Sequence, residues 1–268
     1  VASAARHLFS IVVVALLGPA SPALAFECKV SDRYDFVGLA WPSRRVPYGL
    51  AAADQEAATV VREAFAAWSA EPCTDLALEY VGLVSAGDPV SQVRFVREGW
   101  LESARAAEAV AITVSTFVRA TGELRRADVE VNEELFDFGD VTAACAPTSN
   151  TYDLLAVLTH EAGHFLGLDH TRAFSGGEGD PTMAPVVGPC EADKRTLEPD
   201  DRAGLCLLYP FGAPSRPCVP LPARAGPYVK SEPFGCAASA ASGGGRGLAP
   251  LIVLLAGLRL RPRPRGRQ

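Results

Sequence analysis

THEAGHFLGLDH, residues 159–170, holds three of the four histidines in a chain of 268 residues, at positions 160, 164 and 170. It continues a longer run, TYDLLAVLTHEAGHFLG, in which Leu154, Val157, Leu158 and Phe165 form an apolar stripe at helical spacing. Asn150 or Thr151 is placed to cap that helix, with Asp153 in its first turn. His160 and His164 then stand one turn apart on the same side and can reach a common metal ion. Glu161 follows the first histidine, so its carboxylate comes near the ion without ligating it, where a general base is needed. His170 lies six residues beyond His164. A continuing helix would carry it about 240° further round, away from the ion. The chain must therefore break and return. Gly167 falls where the break is needed, because glycine accepts the left-handed backbone that ends helices. Three neutral imidazoles leave one position of a tetrahedral Zn2+ open. HExxH alone occurs in ordinary amphipathic helices, whereas HExxHxxGxxH sets five positions and leaves chance a poor explanation.

The rest of the chain reads as an α/β domain with a mixed sheet. WPSRRVPYGL (41–50) is a strand in which Val46 and Tyr48 alternate, and Pro42 and Pro47 point to a sheet edge. Asp54 is placed to cap the helical run DQEAATVVREAFAAWSA, whose Val60, Val61, Ala64, Phe65 and Trp68 share a face. Pro72 stops it. LALEYVGL (76–83), VRFVREG (93–99), the β-branched EAVAITVSTF (108–117) and ADVEVNEELF (127–136) read as further strands, with a turn at Thr121-Gly122. After Pro210 the texture becomes rich in Pro and Gly, as in a linker.

Composition bounds the partners. Residues 26–245 carry 18 Lys+Arg against 31 Asp+Glu, and an acidic body argues against nucleic acid. Residues 1–25 combine Arg6, an apolar run FSIVVVALLG and Ala23-Leu24-Ala25, the pattern of a secretory signal peptide. Export makes disulfides the expected state of the cysteines. Cys28, Cys73, Cys145, Cys190, Cys206 and Cys218 form an even set with 15 possible pairings. Cys190 with Cys206 is favoured here, since it closes a short loop beside the histidines. Cys236 belongs to the tail. That tail, residues 236–268, sets an apolar run (Leu248 to Leu258) between a cysteine and an end with arginine but no acid.

HEAGHFLGLDH resembles the zinc signature of the metzincin metalloproteases. Those enzymes carry a methionine turn downstream, and Met183 in DPTMAP stands where it is expected, as the sole Met of the chain. Within metzincins the match is to the matrixin-like (matrix metalloprotease-like) group. Met183-Ala184-Pro185 resembles its Met-x-Pro turn, LEPDDRAGLCLLYP its closing helix, WPSRRVPYGL its opening strand and ADVEVN (127–132) its strand near the cleft. The resemblance implies a zincin-like metzincin fold. That fold has a twisted, mostly parallel sheet with an antiparallel edge strand, an active-site helix and a C-terminal helix. It implies His160, His164 and His170 as zinc ligands and Glu161 as the catalytic base. It places an extended protein or peptide substrate along residues 109–115, with Val186 and Val187 walling the specificity pocket. Calcium is a further implied cofactor, with Asp128, Asp137, Asp140 and Asp180 as candidates. Vertebrate matrixins use extra histidines for a second zinc; this chain has none to spare, so one zinc is expected. FECKVSD around Cys28 does not resemble the family's inhibitory cysteine segment, and a disulfide is expected for Cys28 instead.

The tail is similar to the cysteine-containing tripartite sorting tags of myxobacterial surface proteins. It implies transient or processed membrane association and anchoring at the cell surface. The expected organisation is a signal peptide (1–25), a lead-in (26–40), a catalytic domain (41–212), a linker (213–235) and the tag (236–268). The expected function is that of a secreted or surface-anchored monomeric zinc endopeptidase. The alternative is a surface module that keeps the metal but only binds; Glu161 discriminates, since a binding module has no need of it.

Overall fold

The computed structural model describes residues 38–215 except 104, 119, 144, 147, 148, 173, 177 and 178, and the backbone of 27–28 and 237–238. The expected signal peptide, most of the expected linker and nearly all of the expected tag lie outside the described residues. Along the chain run β1 (Glu27–Cys28), β2 (Arg45–Ala51), α1 (Ala58–Ser69), β3 (Ala77–Val84), β4 (Ser91–Val96), β5 (Ala111–Phe117) and β6 (Leu124–Asn132). They are followed by β7 (Asp137–Gly139), β8 (Thr151–Asp153), α2 (Leu154–Phe165), β9 (Leu168–Asp169), β10 (Val186–Val187), α3 (Pro199–Leu208) and β11 (Ala237–Ala238). Among the described residues no helix is long and apolar enough to cross a membrane.

The main sheet has the order β3-β2-β4-β6-β5. Its β2–β3, β2–β4 and β4–β6 pairs are parallel, and β5, at the edge opposite β3, runs antiparallel to β6. This is the mixed, mostly parallel sheet with an antiparallel edge that the resemblance implies. Helices α1 and α2 pack on each other through the apolar faces read from the sequence. Val61, Ala64, Phe65 and Trp68 are buried on α1, and Val157, Leu158 and Phe165 on α2. The Tyr48 ring of β2 stacks on Phe65 at 4.1 Å, and Phe65 meets Phe165 edge-on at 5.1 Å. A smaller cluster of Val96, Trp100, Ala109 and Ile112 forms a second packed group.

Several local expectations are corrected. β2 is an interior strand, paired with both β3 and β4. Pro47 is tolerated because pairing with β4 begins only at Tyr48, so Pro47 lies where β2 is flanked by β3 alone. Asp54 does not cap α1. It lies in a 3-10 segment (Ala52–Ala57), is buried, and accepts hydrogen bonds from the Phe95 amide (3.0 Å) and Arg97 (2.5 Å). A long-range ion pair claims its carboxylate, and α1 starts at Ala58 with no side-chain cap. The cap of α2 is Asp153 itself, whose Oδ1 accepts from the Ala156 amide at 2.9 Å; Thr151 is in β8. Among the described residues the disulfides are Cys73–Cys206 and Cys145–Cys190, so Cys190 does not pair with Cys206. Cys206 sits on α3, and the chain after α3 returns to Cys73 through the bond from the Phe211 amide to the Cys73 carbonyl. Packing rather than sequence proximity chose the partners. The side chains of Cys28, Cys218 and Cys236 lie outside the described residues.

Candidate metal centre

Helix α2 is buried almost throughout, every residue from Ala156 to Phe165 having lost contact with solvent. It is held at both ends. At its start, Asp153 caps it and is gripped by Arg195 through two hydrogen bonds of 2.8 and 2.5 Å. At its end, Trp41 donates its indole N–H to the Phe165 carbonyl (2.8 Å), and the Tyr209 hydroxyl donates to that of Leu166 (2.6 Å). Further back, the Trp68 indole donates to the Thr159 carbonyl at 2.9 Å. A helix anchored by side chains from four other segments presents its histidines with little freedom.

Gly167 turns the chain with φ +95°, as the sequence requires, and β9 then leads to His170. The three imidazoles converge. Nε2 of His164 lies 3.0 Å from Nε2 of His160 and 3.1 Å from Nε2 of His170. The outer nitrogens of His160 and His164 are engaged elsewhere. His160 Nδ1 meets the Thr182 carbonyl at 2.6 Å, and His164 Nδ1 the Leu168 carbonyl at 2.9 Å. A carbonyl accepts only, so each Nδ1 must carry the proton and each Nε2 the lone pair. Burial pushes the His160 imidazole well below its ordinary pKa, and the nearby His170 and Lys194 push the same way, which keeps it neutral. Lone pairs turned toward one another call for a cation between them. Two nitrogens about 2.05 Å from one tetrahedral ion would be roughly 3.3 Å apart. The donor set therefore fits Zn2+, and soft-to-borderline nitrogen ligands do not fit calcium. Among the described residues, this is the one group of three metal-capable side chains close enough to share an ion.

Met183 lies beneath the centre. Its backbone carbonyl accepts from the Thr171 amide (2.9 Å), and its side chain is buried against Gly163, between the two helical histidines. Asp201 of α3 holds this turn by accepting from the amides of Thr182 (2.8 Å) and Met183 (3.0 Å). Asp201 lies in the first turn of α3, within the stretch LEPDDRAGLCLLYP, which by itself does not show this second duty. Glu161 is fully buried, and its Oε2 accepts from the Thr113 hydroxyl of β5 at 2.6 Å. Thr113 too was invisible as a site residue, since nothing local links it to a residue 48 positions away. Lys194 is buried and donates to the carbonyls of Ala184 and Val186, on either side of Pro185. The strand β10 (Val186–Val187) follows directly and pairs in parallel with β11.

The four candidate calcium acids are spread over separate partners. Asp128 accepts from Arg126 and the Gln92 amide, Asp140 from Arg195 and Thr142, and Asp180 from the amides of Ser175 and Gly176. Asp137 opens β7, opposite Thr151.

The sequence model of the matrixins (peptidase family M10) matches residues 41–210, from the buried Trp41 to Pro210 just past α3. Matrix metalloproteinase-16 from Rattus norvegicus, Homo sapiens and Mus musculus is each 35% identical to this chain over 96 residues. The matched stretch is 35% of this chain and 14% of each relative, so the likeness spans about a seventh of the length of those curated proteins. With the family model covering well over half of the chain, and a three-histidine centre built on a buried helix within it, this protein belongs to the matrixin family.

Proposed function

We propose that the protein is an exported zinc endopeptidase, with His160, His164 and His170 holding one zinc ion and Glu161 acting as general base. Membership of the matrixin family supports a zinc metalloprotease acting on protein or peptide. The observation that carries the reading is the convergence of the Nε2 atoms of His160, His164 and His170, with the buried Glu161 carboxylate on the helix that bears the first two. A zinc ion held there supplies Lewis acidity, acidifying water and polarising a carbonyl. Glu161 takes the proton of the attacking water and returns it to the departing amine nitrogen. Arg195 and Asp153 keep the start of α2 in place, while Thr182 and Leu168 hold two imidazoles in the tautomer that leaves Nε2 available. The substrate lies extended along β5, the antiparallel edge strand of the sheet, pairing through its backbone. Val186 and Val187, just past Met183, help wall the main specificity pocket.

The same reading divides the chain into a leader (1–25), a lead-in (26–40), the peptidase domain (41–212), a linker (213–235) and a sorting tag (236–268). Two disulfides are in keeping with an oxidising compartment. Mass spectrometry of the mature protein tests the division: termini near Phe26 and Cys236 are expected, and an intact arginine-rich end would refute the tag.

Casein or gelatin hydrolysis, with and without a chelator and beside Glu161→Ala, tests the activity. Wild type is expected to cleave, chelation to stop it, and Glu161→Ala to abolish cleavage while retaining zinc. Zinc-loaded wild type as inert as the variant would show a binding module instead.

A further inference from the structure

We propose that Thr113 is the positioning residue for Glu161, tying the catalytic carboxylate to the strand on which substrate is laid. The inference rests on the peptidase reading above and extends it to a residue that the histidine motif does not contain.

Thr113 is 3% exposed and Glu161 is not exposed at all, so their contact is made away from bulk water. The hydroxyl oxygen lies 2.6 Å from Glu161 Oε2 and 3.2 Å from the Glu161 backbone carbonyl. A hydroxyl has one proton, and the shorter contact is in the range of a charge-assisted O–H···O⁻ bond. Threonine is branched at Cβ and stiff at χ1, so its hydroxyl direction follows the backbone closely. That backbone is itself well held. Thr113 pairs with Val129 of β6, and its neighbour Ile112 is buried among Val96, Trp100 and Ala109. Val114, next along, is 47% exposed, as befits a strand at the rim of the sheet. A glutamate carboxylate, by contrast, sits at the end of three rotatable bonds. A general base works only within hydrogen-bond reach of its proton, and a misplacement of about 1 Å can cost about a hundredfold in rate. The Thr113 hydroxyl removes that freedom. It also makes β5 one body with the base, so a peptide backbone paired on β5 arrives in a set position relative to Glu161.

The test uses the full chain with Thr113→Val, which keeps the β-branched shape and deletes the hydroxyl, and Thr113→Ser, which restores it. Thr113→Val should lower kcat by about tenfold to a hundredfold, with KM within about twofold and zinc content unchanged, and Thr113→Ser should recover kcat to within about threefold. Thr113→Val with wild-type kcat would overturn the proposal, and so would a loss that Thr113→Ser fails to rescue. A second readout needs no activity. Thr113→Val should lower the urea midpoint in the wild-type background and change it far less in Glu161→Ala, since the partner is already gone. Equal effects in both backgrounds overturn the contact itself. Wild type that cleaves nothing while this coupling persists would refute the peptidase reading and the positioning role with it, whereas active wild type with unimpaired Thr113→Val refutes the role alone.

Discussion

Gly163 packs its bare Cα against Met183. A Cβ at Gly163 would lie 2.2 Å from the Met183 sulfur and 2.8 Å from Cζ2 of Trp68. The contact explains why a helix interior keeps a residue with poor helix propensity. Gly163→Ala should gain up to about 1 kcal/mol of helix propensity and lose about 1–3 kcal/mol to overpacking, a net destabilisation. The methionine tip can swing aside, but the Trp68 ring is pinned by its bond to the Thr159 carbonyl. Urea denaturation of Gly163→Ala alone and with Met183→Ala checks this, and the pair should be less than additive. Gly163→Ala as stable as wild type would refute the packing account.

Gly167 meets a second constraint besides its φ of +95°: an added Cβ would stand 2.2 Å from the Leu39 carbonyl oxygen. Gly167→Ala should cost about 2–4 kcal/mol. Gly167→Asn should fare little better, although asparagine tolerates the left-handed region, because the obstacle is backbone. Both variants should also bind zinc more weakly in a chelator competition, since His170 follows the turn.

Asp153 is fully buried, and Arg195 is its cationic partner. Arg195→Met should leave a buried charge unpaired at the start of α2, at a cost of about 2–4 kcal/mol, below the range for fully buried pairs because Arg195 retains some solvent contact. Asp153→Asn added to Arg195→Met should recover part of the loss, which thermal melts would show.

Asp140 is the exposed end of the same network. Bonds from the Thr142 hydroxyl and amide, and then from Arg195, hold its carboxyl pKa down to about 2. A folded pKa below the unfolded value of about 3.9 gives stability that is present above pH about 4 and lost as pH falls toward 2. Asp140→Asn should flatten this part of the stability–pH curve, melting below wild type above pH about 4 and converging with it toward pH 2. Melting temperatures from pH 2 to 7 decide it.

The Cys73–Cys206 bridge ties the segment after α1 to α3 across 133 residues of sequence. Replacing both cysteines with alanine should cost on the order of 5 kcal/mol by chain entropy. Calorimetry of the oxidised and doubly substituted proteins measures it, and an unchanged melting temperature would contradict the estimate.

The sequence by itself determined the features that depend on local geometry. The spacing of His160 and His164, the turn at Gly167 and the apolar faces of α1 and α2 follow from helical period and backbone sterics. Alternation, and β-branching at β5, likewise revealed β3 to β6. Tertiary structure decided everything that joins distant residues. It made β2 interior despite Pro47, took Asp54 from a helix cap to an ion pair with Arg97, and paired Cys73 with Cys206 and Cys145 with Cys190. It also brought Thr113 to Glu161 and Asp201 to the turn at Met183. A motif reports contacts within a few turns of chain, where covalent geometry sets the distances. Contacts between separate elements are set by how buried surfaces pack and where buried polar groups find partners, and no short stretch of sequence encodes that.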